Sequence, residues 1–303
     1  MTAPDIIFAT GTGRCGSSLV QELLSRHEDV GFMTNLDDLG VAPDVVSRHN
    51  NTLFHRVPQR FTVKGRARLA PSEGWRALER EVAPIFVHPG RTLDADDATP
   101  WLRDRVASFF TERAAAQGKP VFLHKFTGWP RIGLITAAIP EARFIHVIRD
   151  GRAVANSLVQ MPWWRDWADP QVLASLPGEH REVWERGGRR FPLLAGMVWD
   201  AMTAAHEAAR VGLRDDQWIE VRYEDLLDNP RAELTRVLEW AGLTWTDRFA
   251  ERMDSQHLGR SRMAAFETDL LPSDRADLER VLGERLRRYG YLPADNHETR
   301  EAR

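Results

Sequence analysis

The fold is decided near the start of the chain, where residues 6–20 read IIFATGTGRCGSSLV. A short apolar run leads into a glycine-rich turn, and Ser17 and Ser18 then open an amphipathic pattern. In a strand, turn and helix of this order, backbone N–H groups and the positive end of the helix dipole converge on one anionic group. The stretch therefore predicts a phosphate-binding loop between a buried strand and a helix.

The loop departs from the ATP- and GTP-binding consensus G-x-x-x-x-G-K-[ST] at one position. Gly11 and Gly16 have the required spacing, but Ser17 occupies the lysine position and the cation of the loop is Arg14. This arrangement favours a phosphate-like ligand over ordinary ATP or GTP chemistry.

Composition indicates a globular enzyme-sized chain of 303 residues, with 43% hydrophobic and 28% charged residues. A net charge of -3 gives no support for a nucleic-acid partner, so any basic site must be local. The single cysteine excludes an intramolecular disulfide framework and suits a reducing compartment. Because the first apolar run is too short for a signal or transmembrane segment, the expected location is the cytoplasm.

Short β-rich runs that each precede a loop or helix signal predict a parallel sheet with crossover helices. The predicted strands are residues 6–9, 121–126, 143–148 and 218–223. Helical patterns cover residues 17–26, 153–158, 195–211, 231–241 and 274–289. Residues 40–118 and 160–194 fit this alternation poorly, so we predict helical insertions there that cover the substrate. The expected architecture is one α/β domain over residues 1–303, with helices flanking a central parallel sheet.

A second signal is FIHVIRDGRAVANSL at residues 144–158. Arg149 follows a predicted strand, and Asp150 can cap the next helix. Ser157 lies about two helical turns further on, at roughly 3.6 residues per turn, so it can face the same side as Arg149 near the carboxyl edge of the sheet. A guanidinium and a hydroxyl suit a second phosphate. The alternative is that Arg149 pairs with Asp150 or Glu141 on the surface.

Together, GTGRCGSSLV at residues 11–20 and RDGRAVANSL at residues 149–158 resemble the motifs of the sulfotransferase family, more its bacterial and carbohydrate branch than its animal cytosolic branch. The resemblance implies a P-loop-like three-layer fold and the donor 3′-phosphoadenosine 5′-phosphosulfate, which leaves 3′,5′-adenosine diphosphate as product. It implies that Arg149 and Ser157 bind the 3′-phosphate. The residues that it assigns to the 5′ side of the donor are Gly13, Arg14, Cys15, Gly16, Ser17, Ser18 and Leu19.

The resemblance extends to three later stretches. Lys125 ends the apolar run VFLHK, and Tyr223 lies in VRYEDL, where relatives contact adenine, although plain packing would explain it equally. Arg260 and Arg262, in HLGRSR, would complete the 3′-phosphate site as a late basic loop does in relatives.

The activity implied is in-line transfer of a sulfuryl group to a hydroxyl, through a loose transition state like that of phosphoryl transfer. Charge develops on the bridging oxygen of the leaving phosphate, and hydrogen-bond donors placed there lower the barrier. The catalytic candidates for this task are Arg14 and Lys125, supported by Ser17 and Ser18. No metal ion is expected.

The general base is ambiguous. Carbohydrate and protein sulfotransferases place a glutamate at a position that falls near Asn35 here, and asparagine cannot accept a proton. Asp37, with Asp38 close behind, is the preferred base; the alternative is that both aspartates cap a helix. His124 is the other candidate, but it precedes Lys125 and alternates to the opposite strand face, which favours a supporting role.

Three tryptophans in MPWWRDW at residues 161–167 predict an acceptor wall, because aromatic faces stack on sugars and flat apolar groups. They are Trp163, Trp164 and Trp167, and the alternative is a packed insertion core. The expected function is sulfuryl transfer to a small-molecule, carbohydrate or lipid-like hydroxyl. The rival hypotheses are an ATP-dependent P-loop phosphotransferase and a nucleotide-binding module without catalysis. The sequence leaves the oligomeric state open, a homo-oligomer included.

Overall fold

The computed structural model describes residues 3–40, 44–56, 69–88, 90–164, 170–256, 258–259 and 262–294. The chain divides into two compact units. The first unit is Met1–Ile148 with Met202–Arg260, and the second is Arg149–Ala201 with Ser261–Arg303.

Within the described residues, the first unit holds a sheet of five parallel strands in the order β2-β3-β1-β4-β5. The strands are β1 Asp5–Thr10, β2 Val30–Gly31, β3 Val121–Lys125, β4 Arg143–Ile148 and β5 Trp218–Arg222. The register places Phe8 opposite His124 on one side and opposite Phe144 on the other. The predicted parallel sheet is confirmed. β2 was not predicted, because two residues are too few to show a strand period.

The helices are given in chain order, and each of the five predicted helical patterns coincides with one of them. They are α1 Ser17–Leu24, α2 Asn35–Asp38, α3 Asp44–Arg56, α4 Trp75–Glu81, α5 Pro84–Val87, α6 Pro100–Gln117, α7 Ile132–Ala138, α8 Gly151–Val159, α9 Pro170–Ser175, α10 Gly178–Arg186, α11 Phe191–Arg210, α12 Tyr223–Asp228, α13 Pro230–Trp240, α14 Asp247–Asp254, α15 Phe266–Asp269 and α16 Pro272–Arg288. In the described ranges, no helix combines the length and the apolar character needed to cross a bilayer.

Side chains of β1 alternate between the two faces of the sheet and meet a helical layer on each. Phe8 belongs to one core cluster, in which its ring meets Phe110 of α6 edge to face at 4.9 Å. Ile7 and Ala9 belong to the other cluster, which α1 and α13 cover. The predicted three-layer arrangement is therefore confirmed. Residues 40–118 are predicted as a cover over the substrate, but they include α6, which packs against one face of the sheet and forms part of the core there.

In the second unit, large side chains pack directly against the backbone of two glycines. A Cβ on Gly151 would lie 2.5 Å from Cε3 of Trp199, and one on Gly196 would lie 2.3 Å from Cδ2 of Leu278. Asp150 caps α8 as predicted, because its side chain accepts the backbone N–H of Arg152. These contacts hold α8 and α16 against the first half of α11.

Candidate active site

The phosphate loop, residues 11–16, needs glycine at both of its predicted positions. A Cβ on Gly11 would lie 2.4 Å from the carbonyl oxygen of Val147, and one on Gly16 would lie 2.2 Å from Cδ2 of Tyr223. Gly16 also has a φ of +102°, which L side chains rarely adopt. The spacing of the two glycines is therefore explained by β4 on one side of the loop and by Tyr223 on the other.

The loop leads directly into α1, and no side chain caps the first turn of that helix. Gly16 is the N-cap residue, and the first turn contains no acidic side chain. Arg14 has a φ of 67°, in the left-handed region that is uncommon for non-glycine residues. Cys15 is buried in the sheet core, as a small filling residue would be. The backbone amides of Ser17 and Ser18 thus lie at the positive end of the helix dipole.

Lys125, the last residue of β3, connects this loop to a carboxylate. Its Nζ donates hydrogen bonds to Oγ of Ser18 and to Oε1 of Glu73, both at 2.7 Å. The hydroxyl of Thr127 donates to the other oxygen of Glu73, Oε2, at 3.0 Å. The side chain of Lys125 is 4% exposed and that of Glu73 is 22% exposed. We call Ser18, Glu73, Lys125 and Thr127 the Glu73 cluster; its cation is shielded while its carboxylate is reached by solvent.

The extension of β3 past Lys125 fixes this cluster against the loop. The N–H of Phe126 donates to the carbonyl oxygen of Ala9, and the N–H of Gly128 donates to that of Gly11. Because strand side chains alternate, Lys125 and Thr127 lie on the same side of the chain. Residues 126–128 therefore run beside the end of β1 and place both donors where they reach Glu73.

His124 lies on the other face of β3, in an aromatic cage. Its ring contacts Phe110 and Phe126 with centroids at 5.1 Å and 4.7 Å. Burial, together with the charge of Lys125, lowers the pKa of His124 to about 3. A ring with so low a pKa is a poor proton acceptor near neutral pH. These contacts favour the supporting role for His124 over the role of general base.

Asp37 and Asp38 have structural hydrogen bonds. Oδ2 of Asp37 accepts from the backbone N–H and the hydroxyl of Thr34, and Oδ1 accepts from the side chain of Asn50. Oδ1 of Asp38 accepts from the N–H groups of Arg76 and Ala77 at the start of α4. Asp37 thus closes the capping box of α2, and Asp38 caps a second helix. These contacts correspond to the capping alternative, so we look for the base elsewhere.

Glu73 is the acidic side chain that sequence reasoning missed. Thr34 forms an antiparallel bridge with Pro71, and the N–H of Asn35 donates to the carbonyl oxygen of Ala70 at 3.1 Å. The region near Asn35 therefore does lie beside a glutamate, but that glutamate comes from a distant segment. No motif at residues 69–77 signals it, since only the tertiary pairing brings it to Lys125.

The second unit contains the residues predicted for the 3′-phosphate. Arg149 directly follows the last residue of β4, and its guanidinium donates to the carbonyl oxygen of Arg262 at 3.4 Å. Ser157 is partly buried in α8. The surface partners considered for Arg149 are engaged by other arginines: Asp150 pairs with Arg152 and Glu141 with Arg214. The 3′-phosphate role of Arg149 and Ser157 stays a prediction.

The predicted acceptor wall is divided. Trp164 is buried and meets Phe191 edge to face at 6.5 Å, whereas Trp163 is 58% exposed. Trp167 and Arg260 lie outside the described residues. Packing explains Trp164, and Trp163 stays the candidate in this segment for contact with an acceptor. Among the described residues, no group of three or more His, Cys, Asp or Glu side chains can hold a metal ion.

Comparisons with known proteins agree with these motifs. Residues 4–247 match a family model described as the sulfotransferase family. Over 192 residues the chain is 24% identical to omega-hydroxy-beta-dihydromenaquinone-9 sulfotransferase Stf3 of Mycobacterium bovis, and equally to that of Mycobacterium tuberculosis. This match covers 61% of the chain and 44% of the relative, so the chain spans less than half the length of the curated relatives it matches.

Solved structures show the same fold. Sulfotransferase STF9 from Mycobacterium avium superposes with a TM-score of 0.55 at 16% identity, over 96% of this chain and 78% of that one. Sulfotransferase STF1 from Mycobacterium tuberculosis gives a TM-score of 0.50 at 17% identity, over 88% and 76% of the two chains. Because the family model spans most of the chain and both motifs lie within it, this protein belongs to the sulfotransferase family.

Proposed function

We propose that the protein transfers a sulfuryl group from 3′-phosphoadenosine 5′-phosphosulfate to a hydroxyl by in-line displacement. One observation carries the proposal. Lys125 contacts Ser18 of the phosphate loop and the carboxylate of Glu73, each at 2.7 Å. A phosphate loop, a cation and a carboxylate open to solvent are the parts that this reaction needs at one point.

The loop fits the phosphosulfate end of such a donor. The uncapped first turn of α1 offers backbone N–H groups and a favourable dipole to an anion. Lys125, Arg14 and the hydroxyl of Ser18 would stabilise the charge that develops on the bridging oxygen. A preorganised donor of this kind contributes about 2.7–4 kcal/mol to lowering the barrier. Gly13, Cys15 and Leu19 contribute through their backbone in this proposal, and Tyr223 packs at the edge of the loop.

Glu73 is the base in this proposal, in place of Asp37 or Asp38. Its carboxylate accepts the proton of the acceptor hydroxyl while the acceptor oxygen forms a bond to sulfur. The bond between sulfur and the bridging oxygen breaks, and that oxygen leaves with 3′,5′-adenosine diphosphate. Lys125 then exchanges its contact with Glu73 for the negative charge of the leaving group. No electron is gained or lost, since the sulfuryl group passes between two oxygens.

The 3′-phosphate is assigned to Arg149 and Ser157, with Arg262 beside Arg149. For the acceptor we propose a hydroxyl on a lipid-like molecule, because the Mycobacterium relatives are named for a dihydromenaquinone substrate with a terminal hydroxyl. The exposed indole of Trp163 offers apolar contact area for such a chain. We place the reaction in the cytoplasm, since the one cysteine of the chain is a buried thiol.

The rival hypotheses have less support. Ser17 in place of the Walker lysine disfavours phosphoryl transfer from ATP. The hypothesis of a module without catalysis rested on Asn35, and the carboxylate of Glu73 beside Lys125 removes that argument.

The test is the change Glu73→Gln, which keeps the shape of the side chain and removes its basicity. Sulfuryl transfer is measured with a radiolabelled donor and three acceptors, namely a prenyl alcohol, a phenol and a hexose. We expect turnover to fall by about 10²–10⁴, the usual contribution of general base catalysis, with unchanged affinity for 3′,5′-adenosine diphosphate. Glu79→Gln, at an exposed position of α4, is the matched control and keeps full activity. Turnover of Glu73→Gln close to that of the control would overturn the proposal for Glu73.

A further inference from the structure

The segment that carries Glu73 is held on its amino-terminal side by backbone pairing. The N–H of Asn35 donates to the carbonyl oxygen of Ala70 at 3.1 Å, and the N–H of Ser72 donates to that of Met33 at 2.9 Å. Thr34 and Pro71 form the antiparallel bridge between these two bonds. The chain immediately before Glu73 is therefore fixed to the residues that lead into α2.

On its carboxyl-terminal side the segment leads into α4, whose N-cap residue has no capping side chain. Gly74 is the N-cap of α4, adopts a φ of 67° and has no side chain with which to cap the helix. Asp38 supplies the missing acceptor: its Oδ1 accepts from the N–H of Arg76 at 2.9 Å and of Ala77 at 3.0 Å. The cap of α4 thus comes from α2, far earlier in the chain.

The neighbouring Asp37 holds Thr34, the residue that pairs with the chain before Glu73. Asp37 holds Thr34 through both its backbone N–H and its hydroxyl, at 2.6 Å and 2.8 Å. Asn50 donates to the remaining oxygen of Asp37 at 3.0 Å, so both carboxylate oxygens accept hydrogen bonds. α2 and its N-cap residue therefore contact the Glu73 segment at two points, through Thr34 before Glu73 and through Asp38 after it.

We propose that Asp38 is a positioning residue for Glu73: by capping α4 it holds the Glu73 carboxylate where Lys125 and Thr127 reach it. This inference rests on the proposed function of Glu73. Without the cap, the first turn of α4 can shift about Gly74, which is the residue next to Glu73. A displacement of about 1 Å in a reacting group can reduce turnover by 10²-fold. The phosphate loop belongs to other elements, so the binding of nucleotide should not change.

The test compares two substitutions at one position. Asn retains the acceptor oxygen that caps a helix and is as good a cap as Asp, whereas Ala has none. We expect Asp38→Asn to keep kcat within about threefold of the wild type and Asp38→Ala to lose at least 10-fold. The Kd for 3′,5′-adenosine diphosphate should stay within twofold in both. Asn229→Ala removes the side-chain cap of α13 and is the control for the loss of a cap elsewhere. All rates are measured at least 15 °C below the melting temperature of each variant.

The outcomes separate this inference from the function on which it rests. If Glu73→Gln is active, Glu73 is not the base and the proposed function of that residue is wrong. If Glu73→Gln is impaired but Asp38→Ala turns over like Asn229→Ala, the positioning role is wrong. Equal loss in Asp38→Asn and Asp38→Ala would show that the charge of Asp38 is needed and not its capping oxygen, and would overturn the inference. The double variant Glu73→Gln/Asp38→Ala should be no slower than Glu73→Gln, and a further 10-fold loss would show that Asp38 acts independently.

Discussion

The two sides of Lys125 are built in different ways. On one side, Ser18 follows a loop whose shape is fixed by close backbone approach, since Gly11 meets Val147 and Gly16 meets Tyr223. On the other side, Glu73 lies on a short segment that backbone pairing holds before Glu73 and that side-chain hydrogen bonds hold at and after it. The first side depends on the absence of atoms at two glycines, and the second on the presence of polar atoms at several residues.

This difference predicts how the two sides fail. An added Cβ in the loop displaces backbone that would contact an anion, so it should abolish nucleotide binding. A lost hydrogen bond around Glu73 leaves the loop intact, so it should lower turnover and spare binding. Changes in the loop should therefore affect nucleotide binding, and changes in the Glu73 segment should affect turnover alone.

The largest expected effect on nucleotide binding is that of Gly16→Ala. The new methyl would lie 2.2 Å from Cδ2 of Tyr223, in addition to the strain of a φ of +102°. Such strain costs about 1–3 kcal/mol, and the clash adds to it. We expect the Kd for 3′,5′-adenosine diphosphate, measured by calorimetry, to rise at least 100-fold.

Gly242→Ala is the control for that substitution. Gly242 has a φ of +73°, but a Cβ there meets no atom within 4 Å. It should lower the melting temperature through strain while keeping nucleotide affinity. If Gly16→Ala binds nucleotide like Gly242→Ala, the loop is not fixed by its packing against Tyr223.

Acid should lower the free energy of unfolding, because a buried histidine lies behind each side of Lys125. His206 lies behind the loop and bonds the hydroxyl of Thr10 at 2.9 Å, while His124 lies behind Lys125. Burial lowers the pKa of each to about 3, with help from His146 for the first and from Lys125 for the second. The unfolded chain, with histidine pKa values near 6.5, then binds more protons, so the free energy of unfolding falls as pH drops from about 6.5 towards 3.

Each of these histidines should cost on the order of 2 kcal/mol of stability by pH 5. Urea unfolding at pH 7 and pH 5 measures the change, and His206→Gln should show a smaller decrease than the wild type. His49→Gln, at an exposed position, is the control and should keep the full decrease. An equal decrease in His206→Gln and the wild type would mean that His206 is charged in the folded protein.

The loop side was open to prediction because its determinants are contiguous. Gly11, Gly16 and Ser17 stand within one stretch, and the adjoining β1 and α1 have clear periods. The parallel sheet was predictable for the same reason, apart from β2. The region of residues 40–118 was harder, since the buried face of α6 includes Arg113 and Gln117 while Trp101 is exposed, which blurs the apolar pattern of a helix.

The Glu73 side could not be predicted from spacing. Its carboxylate reaches Lys125 through the pairing of residues 33–35 with 70–72, and a short bridge of this kind leaves no pattern in the sequence. The structural role of Asp37 could nevertheless be predicted from the sequence. Thr34 followed three residues later by Asp37 resembles a capping box, a signal that favours a structural role over catalysis. Asp37 and Asp38, predicted as bases from their place in the sequence, form hydrogen bonds with Thr34 and with the first turn of α4, on either side of Glu73.

The smallest expected effect comes from Thr127, and it tests how finely the Glu73 side is set. Thr127→Val removes the hydroxyl that donates to Oε2 of Glu73 at 3.0 Å while it keeps the branched shape. A hydrogen bond to a charged group is worth about 1.5–3 kcal/mol, and part of that should appear as a roughly 10-fold lower kcat. Thr127→Ser keeps the hydroxyl and should restore most of the rate. Thr136→Val removes a hydroxyl that bonds within α7 and should leave kcat unchanged. Wild-type kcat in Thr127→Val would mean that Lys125 alone orients Glu73, whereas a raised Kd for 3′,5′-adenosine diphosphate would show that the two sides of Lys125 are not separable.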